Sequence, residues 1–255
     1  MNMKRKFGFI FAVAWLSGAL AAQNPQIVAH RGYHTIDNVA ENSIASLAKA
    51  QEAGVYASEC DVWLTLDGVV VVNHDSHLSG KVIQNLNYSH IQEDTLCNGE
   101  KIPKFSDYLL QAKQSPDTKL IVEIKVHDSA ERNNLVVDSV IAMVQRAEIA
   151  DQVEYISFDY NICKRLAEKA PANLTGYLTG DKAPKKVFRD GIKSIDYHIS
   201  VYRKHSKWIK QAHKLGMVVN VWTVNLEQDM DDCIRWGVEY ITTDFPLILK
   251  LKYKE

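Results

Sequence analysis

The chain has 255 residues, 46% hydrophobic and 24% charged, the balance of a globular protein rather than a disordered or fibrous one. A formal net charge of −1 gives no electrostatic footprint for nucleic acid or for an anionic membrane surface. The length suits one large domain and is close to the roughly 250 residues typical of a (β/α)8 barrel.

The N-terminus has its own grammar. MNMKRK is a basic cap, FGFIFAVAWLSGALA is apolar, and Ala19-Leu20-Ala21 fits a small-x-small cleavage pattern. This predicts a secretory signal peptide over residues 1–21, removed to leave a single domain over 22–255. The apolar run over residues 7–22 falls short of the roughly 20 residues needed to span a bilayer comfortably. Export implies a periplasmic or secreted protein. Removal takes away Lys4, Arg5 and Lys6 and no acid, so the mature chain is the more acidic form. Cys60, Cys97, Cys163 and Cys233 follow no zinc spacing, and nothing in the sequence selects among their three possible pairings. Buried free thiols are expected for most of them.

After the leader, β-branched runs alternate with helical ones, with no linker or composition break. QIVAHRG reads as a strand, SIASLAKAQEAG as a helix closed by Gly54, and ASECDVWLT and VVVVNHD as two strands joined by a turn at Asp67-Gly68. Residues 76–104 are irregular, FSDYLLQAKQ is helical, KLIVEIKV is a strand, and a long helix follows over about 129–148. Then come VEYISFD with helix YNICKRLAEKA, LTGYLTG with helix APKKVFRDG, and SIDYHIS with helix HSKWIKQAHKLG. VVNVWTVN, helix EQDMDDCIRWG, strand EYITTDFP and a short tail complete the chain. Setting the VVVVNHD partner strand aside, eight strands remain and seven are followed by a full helix. That pattern predicts a closed parallel barrel; an open doubly wound sheet would want a Gly-rich phosphate turn after the first strand, where His30-Arg31-Gly32 stands instead.

The polar residues fall where such a barrel keeps its active site, at the C-terminal ends of the strands. His30 and Arg31 end the first strand, and Asn73, His74 and Asp75 end the hairpin partner of the second. Glu59 and Asp61, two residues apart on one strand, share a face, as do Glu123 and Lys125 on the next. Either pair alone would read as a strand-end or surface feature. Together, Glu59, Asp61 and Glu123 form a hard oxygen donor set suited to Mg2+ or Ca2+, and a cation would relieve their repulsion. Arg31 and Lys125 beside it suit a phosphate group, and His30 and His74 can exchange protons with a bound ester. The remaining histidines, at 34, 77, 90, 127, 198, 205 and 213, read as structural, and Trp222 on its own reads as core.

The run His30-Arg31-Gly32, Glu41-Asn42-Ser43, Glu59-x-Asp61, His74-Asp75 and Glu123-x-Lys125 resembles the glycerophosphodiester phosphodiesterase family. So do Trp222-Thr223-Val224-Asn225 and the end from Gly237 to Pro246, and the likeness covers essentially the whole mature chain. The resemblance implies a TIM (β/α)8 barrel of the phospholipase-C-like phosphodiesterase type with a short insertion after the second strand. It implies hydrolysis of glycerophosphodiesters, such as glycerophosphocholine or glycerophosphoethanolamine, to glycerol 3-phosphate and an alcohol. It assigns one divalent metal, Ca2+ or Mg2+, to Glu59, Asp61 and Glu123, acid/base work to His30 and His74, phosphate binding to Arg31 and Lys125, and the glycerol side to Trp222. Two features depart from the family pattern: Ser43 stands where Thr is usual, and the segment over 76–104 is short for an exported bacterial member. Other readings are a related barrel phosphodiesterase acting on lysolipid or inositol phosphodiesters, and a non-catalytic binder of phosphate esters, which would have no need of both histidines.

Overall fold

The computed structural model describes residues 24–253, so the leader expected over 1–21 lies outside the described residues. Eleven strands occur among them: β1 (Gln26–Ala29), β2 (Ala57–Leu64), β3 (Val70–Val72), β4 (His77–Leu78), β5 (Lys81–Val82), β6 (Lys119–Ile124), β7 (Val153–Ser157), β8 (Thr175–Tyr177), β9 (Ser194–His198), β10 (Val218–Trp222) and β11 (Tyr240–Thr243). The helices are α1 (Ile44–Glu52), α2 (Tyr88–Ile91), α3 (Phe105–Ala112), α4 (Ala130–Ala147), α5 (Tyr160–Lys169), α6 (Pro184–Arg189), α7 (Ile199–Lys204), α8 (Trp208–Lys214), α9 (Glu227–Trp236) and α10 (Pro246–Lys252).

Eight parallel strands close on themselves in the order β1-β2-β6-β7-β8-β9-β10-β11, with β11 pairing β1 from Gln26 opposite Tyr240 to Ala29 opposite Thr243. This is the expected TIM barrel. Strand β3 adds antiparallel to β2, Val62 facing Val72, which carries His74 back toward the barrel mouth. Strands buried on both sides can be apolar on both: Cys60, Val62 and Leu64 of β2 point outward into the layer against α1, α3 and α4, while Glu59 and Asp61 point inward. Cys60, Cys163 and Cys233 are buried free thiols and Cys97 is an exposed one.

Three helices start where short polar side chains supply a missing acceptor. Ser43 Oγ accepts from Ser46 N–H at 2.9 Å, Ser129 caps α4 and Asp159 caps α5. Capping explains why Ser serves at position 43 in place of Thr, since only the hydroxyl is used. The barrel floor is sealed by Glu154, which accepts from Tyr56 Oη at 2.8 Å and from Tyr240 Oη at 3.4 Å.

Three elements differ from the sequence expectation. The stretch after SIDYHIS forms two short helices, α7 and α8, rather than one, because α7 begins directly at the His198 cap. The tail is a full helix, α10, started by Pro246 and anchored by Leu249 against the barrel wall. Residues 76–104 are less irregular than expected, holding the β4–β5 hairpin and α2. Ile83, Ile91 and Ile102 of that segment bury against Trp63 and Val71 in a small core of their own.

Candidate active site

Strand β1 stops at Ala29, short of the QIVAHRG stretch expected from the sequence, because the chain turns sharply at His30-Arg31-Gly32. Arg31 has φ of 52° and Gly32 of 79°, both left-handed. The turn is pressed onto α1: a Cβ on Gly32 would lie 2.3 Å from Ser46 Oγ and 2.7 Å from the Ser46 carbonyl carbon, so only glycine fits. Ser46 Oγ also donates to Arg31 O at 3.0 Å, and Arg31 N–H donates to Glu59 Oε2 at 2.8 Å. The turn thus binds the first strand to the carboxylates of the second.

Those carboxylates gather as the alternation on β2 and β6 requires. Glu59, Asp61 and Glu123 each present an oxygen within 4.8 Å of the others, and all three are buried. Asp61 is opposite Glu123 in the register of β2 and β6. Lys125 Nζ bridges them, 2.7 Å from Asp61 Oδ1 and 2.8 Å from Glu123 Oε1. Asn42, in a left-handed conformation at φ 56°, donates from Nδ2 to Asp61 Oδ2 at 2.8 Å and accepts from Asp61 N–H. Arg31 pairs with Glu41 at 2.9 Å, so the Glu41-Asn42-Ser43 run supplies an ion-pair partner, a carboxylate clamp and a helix cap in succession.

The three acids are unequal. Burial, then the charges of Asp61 and Glu123, push Glu59 well above the usual carboxylate range. Burial and Asp61 likewise raise Glu123, to about 8. Burial pushes Asp61 up as well, but the charge and hydrogen bond of Lys125, with the bond from Asn42, outweigh it and the net shift is down. Lys125 loses from burial and gains more from Asp61 and Glu123, so its ammonium is held charged. Glu59 Oε1 is buried with no hydrogen-bond partner among the described residues. An orphaned acid oxygen beside two more carboxylates is a donor set that fits a hard divalent cation.

The two histidines differ in their support. His30 Nδ1 lies 2.7 Å from Asp244 Oδ1, and His34 Nε2 lies 3.4 Å from the same oxygen. Asn225 Nδ2 donates to Asp244 Oδ2 at 2.6 Å. Burial alone would raise Asp244, yet the bonds from His30, His34 and Asn225 hold it far below the usual range. An ionised acceptor at Nδ1 fixes the His30 tautomer with its proton there and leaves Nε2 to face the cleft. His74, on the rim, pairs through Nδ1 with the exposed Asp75 at 2.8 Å.

His30, Arg31, Glu59, His74, Glu123 and Trp222 line one cleft of about 110 Å³ at the barrel mouth. Asp61 and Lys125 stand directly behind this wall, bonded to Glu123 through Lys125. The far wall is apolar: Ile156, Leu178, Phe158 and Trp222, the last two meeting edge to face at 5.5 Å. Trp222 Nε1 donates to the Asp196 carbonyl at 2.9 Å, which sets the plane of its ring. All eight candidate residues therefore converge on one place. The sequence reading passed over His34, Phe158, Asp196 and the orienting roles of Glu41, Asn42, Asn225 and Asp244. Of the other histidines, His198 caps α7 and packs edge to face on Trp222 at 5.3 Å, while His127 bridges Leu64 N–H and Lys125 O and His205 stacks on Trp208.

A family model described as the glycerophosphoryl diester phosphodiesterase family matches residues 30–248, nearly all of the described chain. The chain belongs to this family. It is accordingly an enzyme of the phosphodiesterase class. A solved glycerophosphodiester phosphodiesterase from Parabacteroides distasonis is 40% identical, with a TM-score of 0.89 over 91% of this chain and 97% of that one. A glycerophosphodiester phosphodiesterase from Caldanaerobacter subterraneus is 24% identical over 86% of this chain and 94% of its own length. An Oleispira antarctica phosphodiesterase solved with its product sn-glycerol-3-phosphate shares the fold, with a TM-score of 0.79 at 20% identity over 91% of this chain and 97% of that one.

Proposed function

We propose that this family member hydrolyses small glycerophosphodiesters, such as glycerophosphocholine or glycerophosphoethanolamine, to glycerol 3-phosphate and an alcohol. The observation that carries the reading is one cleft in which an Asp244-oriented His30, Arg31 and His74 surround the buried carboxylates. Support for the glycerol part comes from the family match and from the product bound in the Oleispira relative. Glu59, Asp61 and Glu123 would hold Ca2+ or Mg2+, which when bound neutralises the three acids and polarises a phosphoryl oxygen.

In this reading Arg31 binds the phosphate oxygens at the cleft surface, Lys125 turns from Asp61 and Glu123 to the phosphate once a cation occupies those acids, and Trp222 covers the carbon chain of the glycerol. The substrate's 2-hydroxyl gives its proton to one histidine as its oxygen attacks phosphorus. The bond to the alcohol breaks and the other histidine returns a proton to the departing oxygen. Water then opens the cyclic phosphate with the proton roles reversed, which restores both side chains. Closure of the barrel floor by Glu154, Tyr56 and Tyr240 keeps solvent out from below. We place the mature chain outside the cytoplasm on the strength of its leader sequence.

The test is release of glycerol 3-phosphate from glycerophosphocholine by the mature chain, with and without Ca2+ or Mg2+. Turnover that a chelator stops, and that His74→Ala removes, is the expected result. Cation binding without turnover on glycerophosphocholine, glycerophosphoethanolamine or glycerophosphoinositol would end it.

A further inference from the structure

One carboxylate in the cleft has no part in the chemistry above. Asp196 sits on β9 with its side chain inside the barrel, 2% exposed, and contributes to the lining of the cleft. Its Oδ1 is buried with no hydrogen-bond partner among the described residues. In register beside it, Asn220 donates from Nδ2 to Thr242 Oγ1 at 2.8 Å, and its remaining amide hydrogen is shared with the Asp196 carboxylate, which still leaves Oδ1 unmet. On the other side is Gly176, where a Cβ would come within 3.3 Å of Asp196 Cβ, so no side chain from β8 can reach across as a donor. A buried acceptor left unmet weakens a fold unless something outside the fold meets it.

Its position indicates what that is. Strand β9 stands across the barrel from β2 and β6, which carry the three site acids. A phosphate held at His30 and Arg31 therefore directs the rest of a bound ester toward Asp196, between the apolar faces of Trp222, Ile156 and Leu178. This inner end is closed, so it suits the small constant part of the substrate, while the variable alcohol faces the mouth. A three-carbon polyol has the matching pattern: carbon against the apolar walls and one hydroxyl free to donate.

We infer that Asp196 is a specificity-determining residue, whose buried carboxylate accepts a hydrogen bond from the terminal primary hydroxyl of the glycerol unit. The inference rests on the glycerophosphodiester reading and extends it to a residue with no assigned role. Burial, with the charge of Glu154 adding and Asn220 opposing, raises the Asp196 carboxyl to about 7. A hydroxyl can donate to the ionised form and accept from the protonated one, whereas an ammonium group suits only the first. The hydroxyl is therefore the better fit at neutral pH.

The experiment compares calorimetric binding of glycerol 3-phosphate and of 1-phosphopropan-2-ol, which lacks only the terminal hydroxyl, in Mg2+-supplemented buffer. Wild type should favour glycerol 3-phosphate by about tenfold or more, since a site built to bond a hydroxyl rejects the analogue without it. Asp196→Leu should reduce glycerol 3-phosphate to the affinity of the analogue and leave the analogue within roughly threefold of wild type. Without ligand its melting temperature should equal or exceed that of wild type, because an unmet buried acceptor has gone. Asp196→Asn, which keeps an oxygen but loses the charge, should fall between the two and serves if the leucine variant does not fold. Equal affinity of wild type for both ligands, undiminished discrimination in the variants, or a lower melting temperature for Asp196→Asn would each overturn the assignment. Wild type that turns over glycerophosphocholine yet shows no such preference refutes only Asp196. Failure to bind or turn over any glycerol ester refutes the proposed function with it.

Discussion

His30 and Asp244 are separated by 214 residues of chain and by 2.7 Å in space. The contact joins the ends of β1 and β11, the two strands that close the barrel, and it decides which ring nitrogen of His30 carries a proton at rest. Asp244 is itself held from both sides by Asn225, whose Oδ1 accepts the Asp244 N–H at 2.9 Å.

Asp244→Asn should preserve the fold and impair the chemistry. An amide at this site no longer favours the proton on Nδ1 or steadies a positively charged ring. The expected outcome is a fall in kcat of about 10²- to 10⁴-fold with KM within a few-fold, the range for losing a general acid/base. Steady-state kinetics on glycerophosphocholine decides it; an equal fall in kcat/KM caused by KM alone would mean that Asp244 positions substrate instead.

Glu59→Gln should separate the cation from the fold. The change removes a buried charge opposed by two other carboxylates but keeps an oxygen for Arg31 N–H. The metal-free variant is expected to match or exceed wild-type stability, by up to about 1 kcal/mol. Wild type should gain melting temperature on adding Ca2+ or Mg2+, about 2.7 kcal/mol of stabilisation at a hundred times Kd, and the variant much less. Thermal melts across a cation titration check both halves.

Gly32→Ala should harm stability and activity together. The new methyl would meet Ser46 side chain and backbone at 2.3 to 2.7 Å, in a left-handed conformation. A loss on the order of 3 kcal/mol is expected. Since Arg31 N–H is tied to Glu59, the displaced turn should also lower kcat/KM at temperatures where the protein remains folded. A wild-type denaturation midpoint would contradict this close approach.

His127 should leave a pH signature in stability rather than in catalysis. Its Nε2 accepts from Leu64 N–H at 3.0 Å while Nδ1 donates to Lys125 O, so the ring must stay neutral. Burial, with Arg132 adding, depresses it below its ordinary value. The unfolded chain therefore takes up the proton first. Stability is complete above about pH 6.5, the ordinary value, and is lost as pH falls toward the folded one. His127→Gln should show a shallower loss of melting temperature between about pH 7 and pH 5 than wild type; parallel curves would remove His127 from the acid response.

The barrel was legible because each strand is short, β-branched and followed by a helical repeat. The site acids were legible because carboxylates two apart on a strand have to share a face. What stayed hidden has a common physical cause: it depends on contacts between distant segments. Nothing near Asp244 in sequence reveals that His30 and His34 approach it, and nothing near Glu41 reveals Arg31. His34 read as structural for that reason. Asp196 was overlooked because a lone acid on an apolar strand shows neither its orientation nor its lack of a partner. The last strand read as followed by a short tail rather than a full helix, since the packing that makes α10 useful is with β1, far away in sequence.

The β1–β11 seam also bears on when the protein becomes an enzyme. His30 follows β1 and the carboxylate that orients it follows β11, so the ring is set only once these two strands have paired. A chain clipped before β11 keeps Glu59, Asp61 and Glu123, which lie on β2 and β6, yet has lost the Asp244 carboxylate that orients His30. Turnover is then a reporter of ring closure itself, more sensitive to a missing last strand than helix content would be.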